Sequence, residues 1–503
     1  MGTAEKKRVL VFVPAYHAES TITDVIRRIP TSLSSRYQVD VLIIDDSSQD
    51  STFAKGHEAA RQAGIEFDVR VLFNPVNQGY GGNQKIGYRY ALERGYDFVA
   101  LLHGDGQYAP ECLPDLLEPF EDDRVAAVFG SRMLSRMGAL RGGMPLYKFV
   151  GNKILTFIQN SLLRSSLSEF HSGYRLYRVQ ALQSIPFERN SNDFHFDTEI
   201  IIQLFIAKKV IVERPIPTYY GNEICRVNGL NYAFNVVVAT VKSRLQELGI
   251  FYDRKFDCAP ETLGQYTPKF DYASPHSMAL DLVPRNSRVL DIGCAGGYVG
   301  AALRERKQCF VTGVDTFPLE HVTLDQFYLR DLNEGLQGIP VADHDVILFL
   351  DVIEHLASPE RFLDQLRESL SSNPGVEILI STANIGFIIQ RIMLLLGQFN
   401  YGKRGILDLT HTRLFTFSSF SRVIEQSGFE ILEIKAVTAP FPLALGNTPL
   451  SRMLVAVNAL LNRISRGMFA YQMFARIRPL PSVSFLLNAA YAKSKEKASA
   501  LPL

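Results

Sequence analysis

Hydrophobic and polar positions fall into two successive series of short apolar runs that alternate with helical patterns. In the first, from Arg8 to about Gly130, the runs RVLVFVP, VDVLIID, VRVLF, DFVALL and VAAVFG are β-branched or aromatic, and each closes on a polar or glycine turn. Between them STITDVIRRI and NQKIGYRYALERG carry helical spacing, the second stopping at Gly95. Such alternation predicts a layered, largely parallel α/β sheet whose ligands bind beyond the carboxyl ends of the strands. The residues at those ends are Pro14-Ala15-Tyr16, Asp45-Asp46-Ser47 and His103-Gly104-Asp105. The second series starts past the middle. The strand that closes on Asp291 turns through Gly293, Gly296 and Gly297 into the helical VGAAL, and FVTGVD ends on Asp315. HDVILFLDVIEHLASPERFLDQL and GVEILIST follow.

The pattern divides the chain into residues 1–250, a polar and proline-bearing linker over 251–275, a second α/β domain over 276–440, and a tail over 441–503. In the tail, RMLVAVNALLNRI and SFLLNAAYA have helical apolar spacing, with one acidic residue, Glu496, against eight basic ones. A basic amphipathic helix of this kind can lie on an anionic membrane surface.

Composition narrows the classes. With 503 residues and 47% apolar content the chain is long enough for two to four ordinary globular cores, and a net charge of +1 gives no field that would recruit nucleic acid. The five cysteines are scattered without a CxxC pair, which points away from zinc or a disulfide framework and toward a reducing cytoplasm. The start MGTAEKKRVLVFVPAY enters a strand with no secretory apolar core, and the best membrane candidate, GFIIQRIMLLLG, is short and contains Arg391. The expected location is the cytoplasm, with peripheral contact at the inner face of a membrane through the tail as a further expectation.

The front half carries VPAYHAES, VLIIDDSSQDST, NQGYGGNQKIGYRYA, LLHGDGQYAPE, FGSR, HSGYRLYR and VERPIPTYY, in order, over nearly all of residues 8–220. This set resembles the family 2 glycosyltransferases, in particular the dolichyl-phosphate mannosyltransferase-like enzymes. The resemblance implies a GT-A fold that takes a UDP- or GDP-sugar, with Asp45 or Asp46 on base and ribose and Asp105 holding Mg²⁺ or Mn²⁺ against the diphosphate. Pro14, Tyr16, Gln107 and Arg132 complete the implied donor site. A divalent ion bound by carboxylate oxygen stabilises the charge that develops on the departing nucleoside diphosphate. His103 stands where the family has the first Asp of Asp-x-Asp; imidazole can still ligate manganese.

Between Ser131 and Ser168 there is no acid but six basic residues, Arg132, Arg136, Arg141, Lys148, Lys153 and Arg164, a basic loop suited to a donor or to an anionic acceptor. A polyprenyl phosphate acceptor is already ionised, whereas a glycan hydroxyl needs a base. Asp197 and Glu199 in FHFDTEIIIQLF and Glu169 before Ser172 are the candidates, although acids in a first helical turn are also favoured by the helix dipole. The segment YYGNEICRVNGLNYA departs from the basic element that lipid-phosphate members of the family carry there.

The back half resembles the class I S-adenosylmethionine-dependent methyltransferases over Arg288 to Val437, through VLDIGCAGGYVG, the acid Asp315 and DVIEHL. The resemblance implies a Rossmann-like domain in which Asp291, Gly293 and Gly297 hold the methionine end of S-adenosylmethionine, Asp315 the ribose and Asp331 the adenine side, while Asp351 lines the floor. Ala295 replaces a frequent third glycine. Transfer to a hydroxyl requires a proton acceptor, for which His411 in DLTHTRLFT and His355 in IEHL are the candidates, His411 being favoured by its polar loop.

The chain is thus expected to be a bifunctional enzyme, a glycosyltransferase and an O-methyltransferase of surface glycans or glycolipids. Two other readings stand beside it. In one, the methyltransferase acts on an unrelated lipid or quinone-like molecule; in the other, prompted by His103, the first domain is a glycan-binding module without catalysis.

Overall fold

A computed structural model describes residues 6–61, 67–135, 138–219, 228–258, 270, 272–319, 324–371, 373–481, 483, 485–487 and 490–491. Arg136, residues 220–227 of the acceptor element, residues 259–269 and 271 of the linker and residues 492–503 of the tail lie outside them. The chain forms two compact units, Met1–Gln246 with Tyr252–Glu261, and Glu247–Phe251 with Thr262–Leu503.

The first unit is built on β1 (Arg8–Ala15), β2 (Gln38–Asp45), β3 (Asp68–Phe73), β4 (Phe98–Leu101), β5 (Val125–Ser131), β6 (Arg175–Arg178) and β7 (Val210–Pro215). They form one sheet in the order β3-β2-β1-β4-β6-β5-β7, with β6 antiparallel to both neighbours. The continuous apolar run RVLVFV is realised as two buried faces: Val9, Val11 and Val13 pack into one core and Leu10 and Phe12 into the other. The chain runs outward from β1 through β2 to β3, then returns to β4 on the other side of β1. This reversal opens a crevice between β1 and β4, where open α/β sheets bind ligands. The register aligns the strand tips around it, pairing Ala15 with Asp45, and Gly104 donates its N–H to the Pro14 carbonyl.

The second unit repeats the plan with β8 (Arg288–Ile292), β9 (Phe310–Asp315), β10 (Gln326–Leu329), β11 (Val346–Leu350), β12 (Glu377–Ala383), β13 (Phe429–Val437) and β14 (Gln472–Pro479). Their order is β10-β9-β8-β11-β12-β14-β13, so the reversal falls between β8 and β11. A capping box, Ser274 with Ser277, starts the helix Pro275–Leu282 ahead of β8.

The segment expected as a helical tail is helical over Pro449–Ile464, but Gln472–Pro479 is a strand. β14 lies antiparallel between β12 and β13 and buries Met473, Phe474, Ala475 and Ile477. The second domain therefore runs past 440 and takes its penultimate sheet position from the far end of the chain. Arg476, pointing off this strand, pairs with Glu377 of β12 at 2.6 and 3.0 Å. Among the described residues no helix is long and apolar enough to cross a membrane.

Candidate active sites

At the first crevice the two neighbouring acids of β2 part company. Asp46 is saturated: it accepts from the Asn74 amide at 2.8 Å and from the backbone N–H groups of Gln78 and Gly79 at 2.8 and 3.0 Å. It fixes the start of the helix Gly79–Glu93. Asp45 is fully buried and accepts from the Ser48 N–H through Oδ1, while its Oδ2 has no partner. A buried carboxylate oxygen left open costs free energy unless a ligand donates to it, so Asp45 is the member of the pair available to a nucleoside. Tyr16 is exposed at the end of β1.

Asp105 is exposed; its Oδ1 accepts from the Gln107 N–H at 3.0 Å. A carboxylate held at one oxygen by a backbone N–H fits a divalent ion that takes its other ligands from a diphosphate. No cluster of three His, Cys, Asp or Glu side chains able to hold a metal unaided occurs among the described residues. His103 is turned to other partners. Its Nε2 lies 3.3 Å from the Tyr80 hydroxyl, whose own hydrogen goes to Asp197 Oδ2 at 2.8 Å. The Tyr80 oxygen must then accept, Nε2 carries the hydrogen, and Nδ1 is the one atom through which His103 can meet a cation. The ring occupies space that only a glycine leaves: a Cβ on Gly173 would sit 2.7 Å from His103 Cε1 and Nε2.

The three candidate bases are all tied to the frame. Asp197 accepts from Tyr80 and Gln84 and lies 3.8 Å from the fully buried Arg175 guanidinium, which also donates to the carbonyls of Ser172, Phe170 and Asp197. Glu199 is sunk at the helix start, where it accepts from Lys255 and from the Ser191 N–H, both at 2.6 Å. Glu169 forms a buried pair with Arg132 and also accepts from the Asn152 amide. Burial pushes the Glu169 carboxyl up, but the Arg132 charge and its hydrogen bonds outweigh this and hold it below the ordinary value. Arg132 is thereby committed to Glu169 and to the His171 carbonyl. Tyr80 and Arg175 are the residues that sequence reasoning passed over; both stand inside quoted motifs, NQGYGG and HSGYR.

At the second crevice Asp291 is the penultimate residue of β8, Asp315 ends β9 and Asp351 follows β11. The turn after β8 is left-handed at Gly293 (φ +73°), Ala295 (φ +47°) and Gly297 (φ +72°). At Gly293 a Cβ would also meet Val352 at 2.4 Å, so only glycine fits there. Ala295 keeps its strained conformation because its N–H donates to Asp315 Oδ2 at 2.7 Å. Asp291 is buried with Oδ2 unpartnered, and burial, followed by the neighbouring Asp315, pushes its carboxyl up to about 7. Such a cradle, with an unpaired acid at its base, fits the cationic methionine end of S-adenosylmethionine. Asp331 is exposed beyond β10 and caps the turn Leu332–Glu334 by accepting from the Asn333 N–H.

Asp351 accepts from the Ser381 hydroxyl at 2.7 Å and from the Gln472 amide at 2.8 Å. Ser381 and Gln472 had no local signal; each comes from another strand, Gln472 from β14. Glu354 is buried with Oε2 unpartnered, and burial reinforced by Asp351 raises its carboxyl. Its backbone carbonyl accepts from the N–H groups of Thr412 and Arg413 and so holds the polar loop against the turn that bears His355. The two candidate histidines meet edge to face, ring centres 4.8 Å apart. His411 Nδ1 lies 2.9 Å from the Ile406 carbonyl and His355 Nδ1 3.3 Å from the Thr410 carbonyl. A carbonyl only accepts, so each ring carries its hydrogen on Nδ1 and presents Nε2 as a bare acceptor. Burial first, then His411, lowers the His355 pKa and keeps that ring neutral.

Both crevices lie at the strand-order reversal where doubly wound α/β sheets bind nucleotides. The family model described as glycosyl transferase family 2 matches residues 10–185, and that described as methyltransferase domain matches residues 268–434. The undecaprenyl-phosphate mannosyltransferase of Micrococcus luteus is 30% identical over 218 residues, 43% of this chain and 85% of that protein. The polyprenol monophosphomannose synthase of Mycolicibacterium smegmatis is 26% identical over 245 residues, 48% of this chain and 89% of that protein. Among solved structures, glucosyl-3-phosphoglycerate synthase of Mycobacterium tuberculosis aligns with 48% of this chain and 81% of its own, at 17% identity and a TM-score of 0.36. The chain belongs to glycosyltransferase family 2 through its first unit, and joins to it a methyltransferase domain.

Proposed function

We propose that the first unit transfers a sugar from a UDP- or GDP-sugar to a polyprenyl phosphate, and that the second uses S-adenosylmethionine to O-methylate a glycan, in the synthesis of a cell-surface polysaccharide or glycolipid at the inner face of the membrane. The observation that carries the choice of acceptor is the commitment of Asp197, Glu199 and Glu169 to internal partners. With none of these three candidate bases free to take a proton, an acceptor that arrives ionised is favoured over a glycan hydroxyl. The names of the two mannosyl-transferring relatives agree with this reading. Asp45 would receive the nucleoside, and Asp105 with Gln107 would hold the Mg²⁺ or Mn²⁺ that neutralises the departing diphosphate. Incubation with UDP- or GDP-sugars, manganese and polyprenyl phosphate should yield a lipid-linked sugar, and Asp105→Ala should lose at least ~100-fold of that rate. Transfer to a soluble glycan but not to the lipid phosphate would overturn the acceptor.

In the second unit S-adenosylmethionine supplies an electrophilic methyl group. Asp315 would grip its ribose, Asp291 would face its positive end, and Nε2 of His411, braced by His355, would take the proton of the attacking hydroxyl. His411→Gln should lose methyl transfer while S-adenosylmethionine binding, followed by calorimetry, stays at the parent value.

A further inference from the structure

Two helices of the second unit bury almost none of their apolar residues. In Ile388–Leu395 no residue is buried, and Leu395 is 86% exposed with Leu394 and Leu396 beside it. In Pro449–Ile464 the exposed Leu450, Met453, Val457, Leu460 and Ile464 recur every three or four residues along one face. Both helices hang from one turn. Asn384, ahead of the first helix, donates to the carbonyls of Gly467 and Ala470. Asn458 of the second donates to the Phe469 carbonyl and accepts from the Ala439 N–H. Phe441 packs with Ile388, Ile389 and Tyr471 on one small core of Phe387, Ile406 and Ala439. Tyr471 immediately precedes Gln472, the residue that holds Asp351.

Charge selects what covers this face. Neither 386–404 nor 441–481 contains an acidic residue, and Arg391, Arg452, Arg463 and Arg466 are exposed along it. A second copy of the chain, joined by a two-fold axis, would set this basic rim against itself. Apolar side chains rimmed by arginine fit the boundary between the headgroups and acyl chains of an anionic bilayer. We propose that Ile388–Leu395 and Pro449–Ile464 form one surface that docks the methyltransferase unit on an anionic lipid membrane, beside its methyl-transfer site. The proposal deepens the reading of a lipid-linked product, and rests on it only for its purpose.

The test is flotation of the full chain with phosphatidylglycerol–phosphatidylcholine vesicles and with phosphatidylcholine alone. Recovery with the anionic vesicles is expected, falling about tenfold or more in Arg452→Glu/Arg463→Glu and in Leu395→Asp/Ile464→Asp. Calorimetry with S-adenosylmethionine checks that each variant is folded, and methylation of a soluble acceptor reports on the proposed activity separately. Equal recovery with and without vesicles, or variants that float as the parent does, would overturn the proposal. So would light scattering that shows a dimer abolished by Leu395→Asp/Ile464→Asp, because the face would then belong to a second copy.

Discussion

In the first unit Glu169, Asp197 and Glu199 are buried and matched by Arg132, Arg175 and Lys255. In the second, Asp291 and Glu354 are as deeply buried, and no ion pair to either is formed among the described residues. On the proposed function, the difference follows the charge that each site would meet. A donor with a diphosphate and an acceptor phosphate would both be anionic, and Arg132, Arg175 and Lys255 offset the repulsion that Glu169, Asp197 and Glu199 would otherwise exert on them. S-adenosylmethionine is cationic at its reacting sulfur and its ammonium, and a carboxyl kept partly protonated by burial gains most when such a ligand arrives. Two sheets of similar plan are thus tuned in opposite directions by where their acids find partners.

The sharpest way to break the contrast is to unpair an acid in the first unit. Glu169→Gln removes the buried carboxylate that Arg132 and Asn152 share and should cost about 3–5 kcal/mol, read by denaturant unfolding of the first unit. The Glu169 contribution has a fixed pH sense. Because its folded pKa is lowered, it is fully present above the ordinary glutamate value and is lost as pH falls through the lowered one. An unfolding midpoint unchanged by the substitution would show that the pair does not hold the fold.

The second test concerns affinity. With Asp291 raised to about 7, the ligand-free site is protonated below neutrality and must release that proton to face a cation. S-adenosylmethionine binding should therefore strengthen by up to about tenfold per unit as pH rises from 5.5 toward 7 and level off above it. Asp291→Asn should flatten the profile. A slope that survives in that variant would move the assignment to Glu354; a flat parent profile would remove the contrast between the units.

The smallest effect is expected at Ala295. Its left-handed conformation costs of order 1 kcal/mol relative to glycine, so Ala295→Gly should stabilise the second unit by up to about that amount, less what glycine loses in chain entropy. A measurable loss of stability would mean that the Ala295 methyl contributes packing beyond the turn.

Much of this was legible one residue after another. The runs that became β1 to β5 and β8, β9, β11 and β12 alternate or persist as β-branched apolar stretches, and the helix ending before Gly95 closes where that glycine takes φ +67°. Strand tips ending in Pro14, Asp45 and Asp105, and in Asp291 and Asp315, followed from the same pattern. β14 was not legible as part of the second domain. QMFARIRP follows a helical stretch, and its alternation of buried and arginine positions acquires meaning only between β12 and β13.

What the sequence by itself determined is the pair of sheets, their order along the chain and the chemical type of each strand tip, because periodicity and turn chemistry are local. The tertiary structure decided which acids are free. Asp45 and Asp46 are neighbours in sequence, yet one is saturated by a loop some 30 residues on and the other keeps an open oxygen. Gln472 reaches Asp351 across 121 residues, and His355 meets His411 across a loop that the Glu354 carbonyl holds. Partnership at that separation is set by how the sheet brings strands together, and the cost of leaving a buried carboxyl alone then decides what each site can bind.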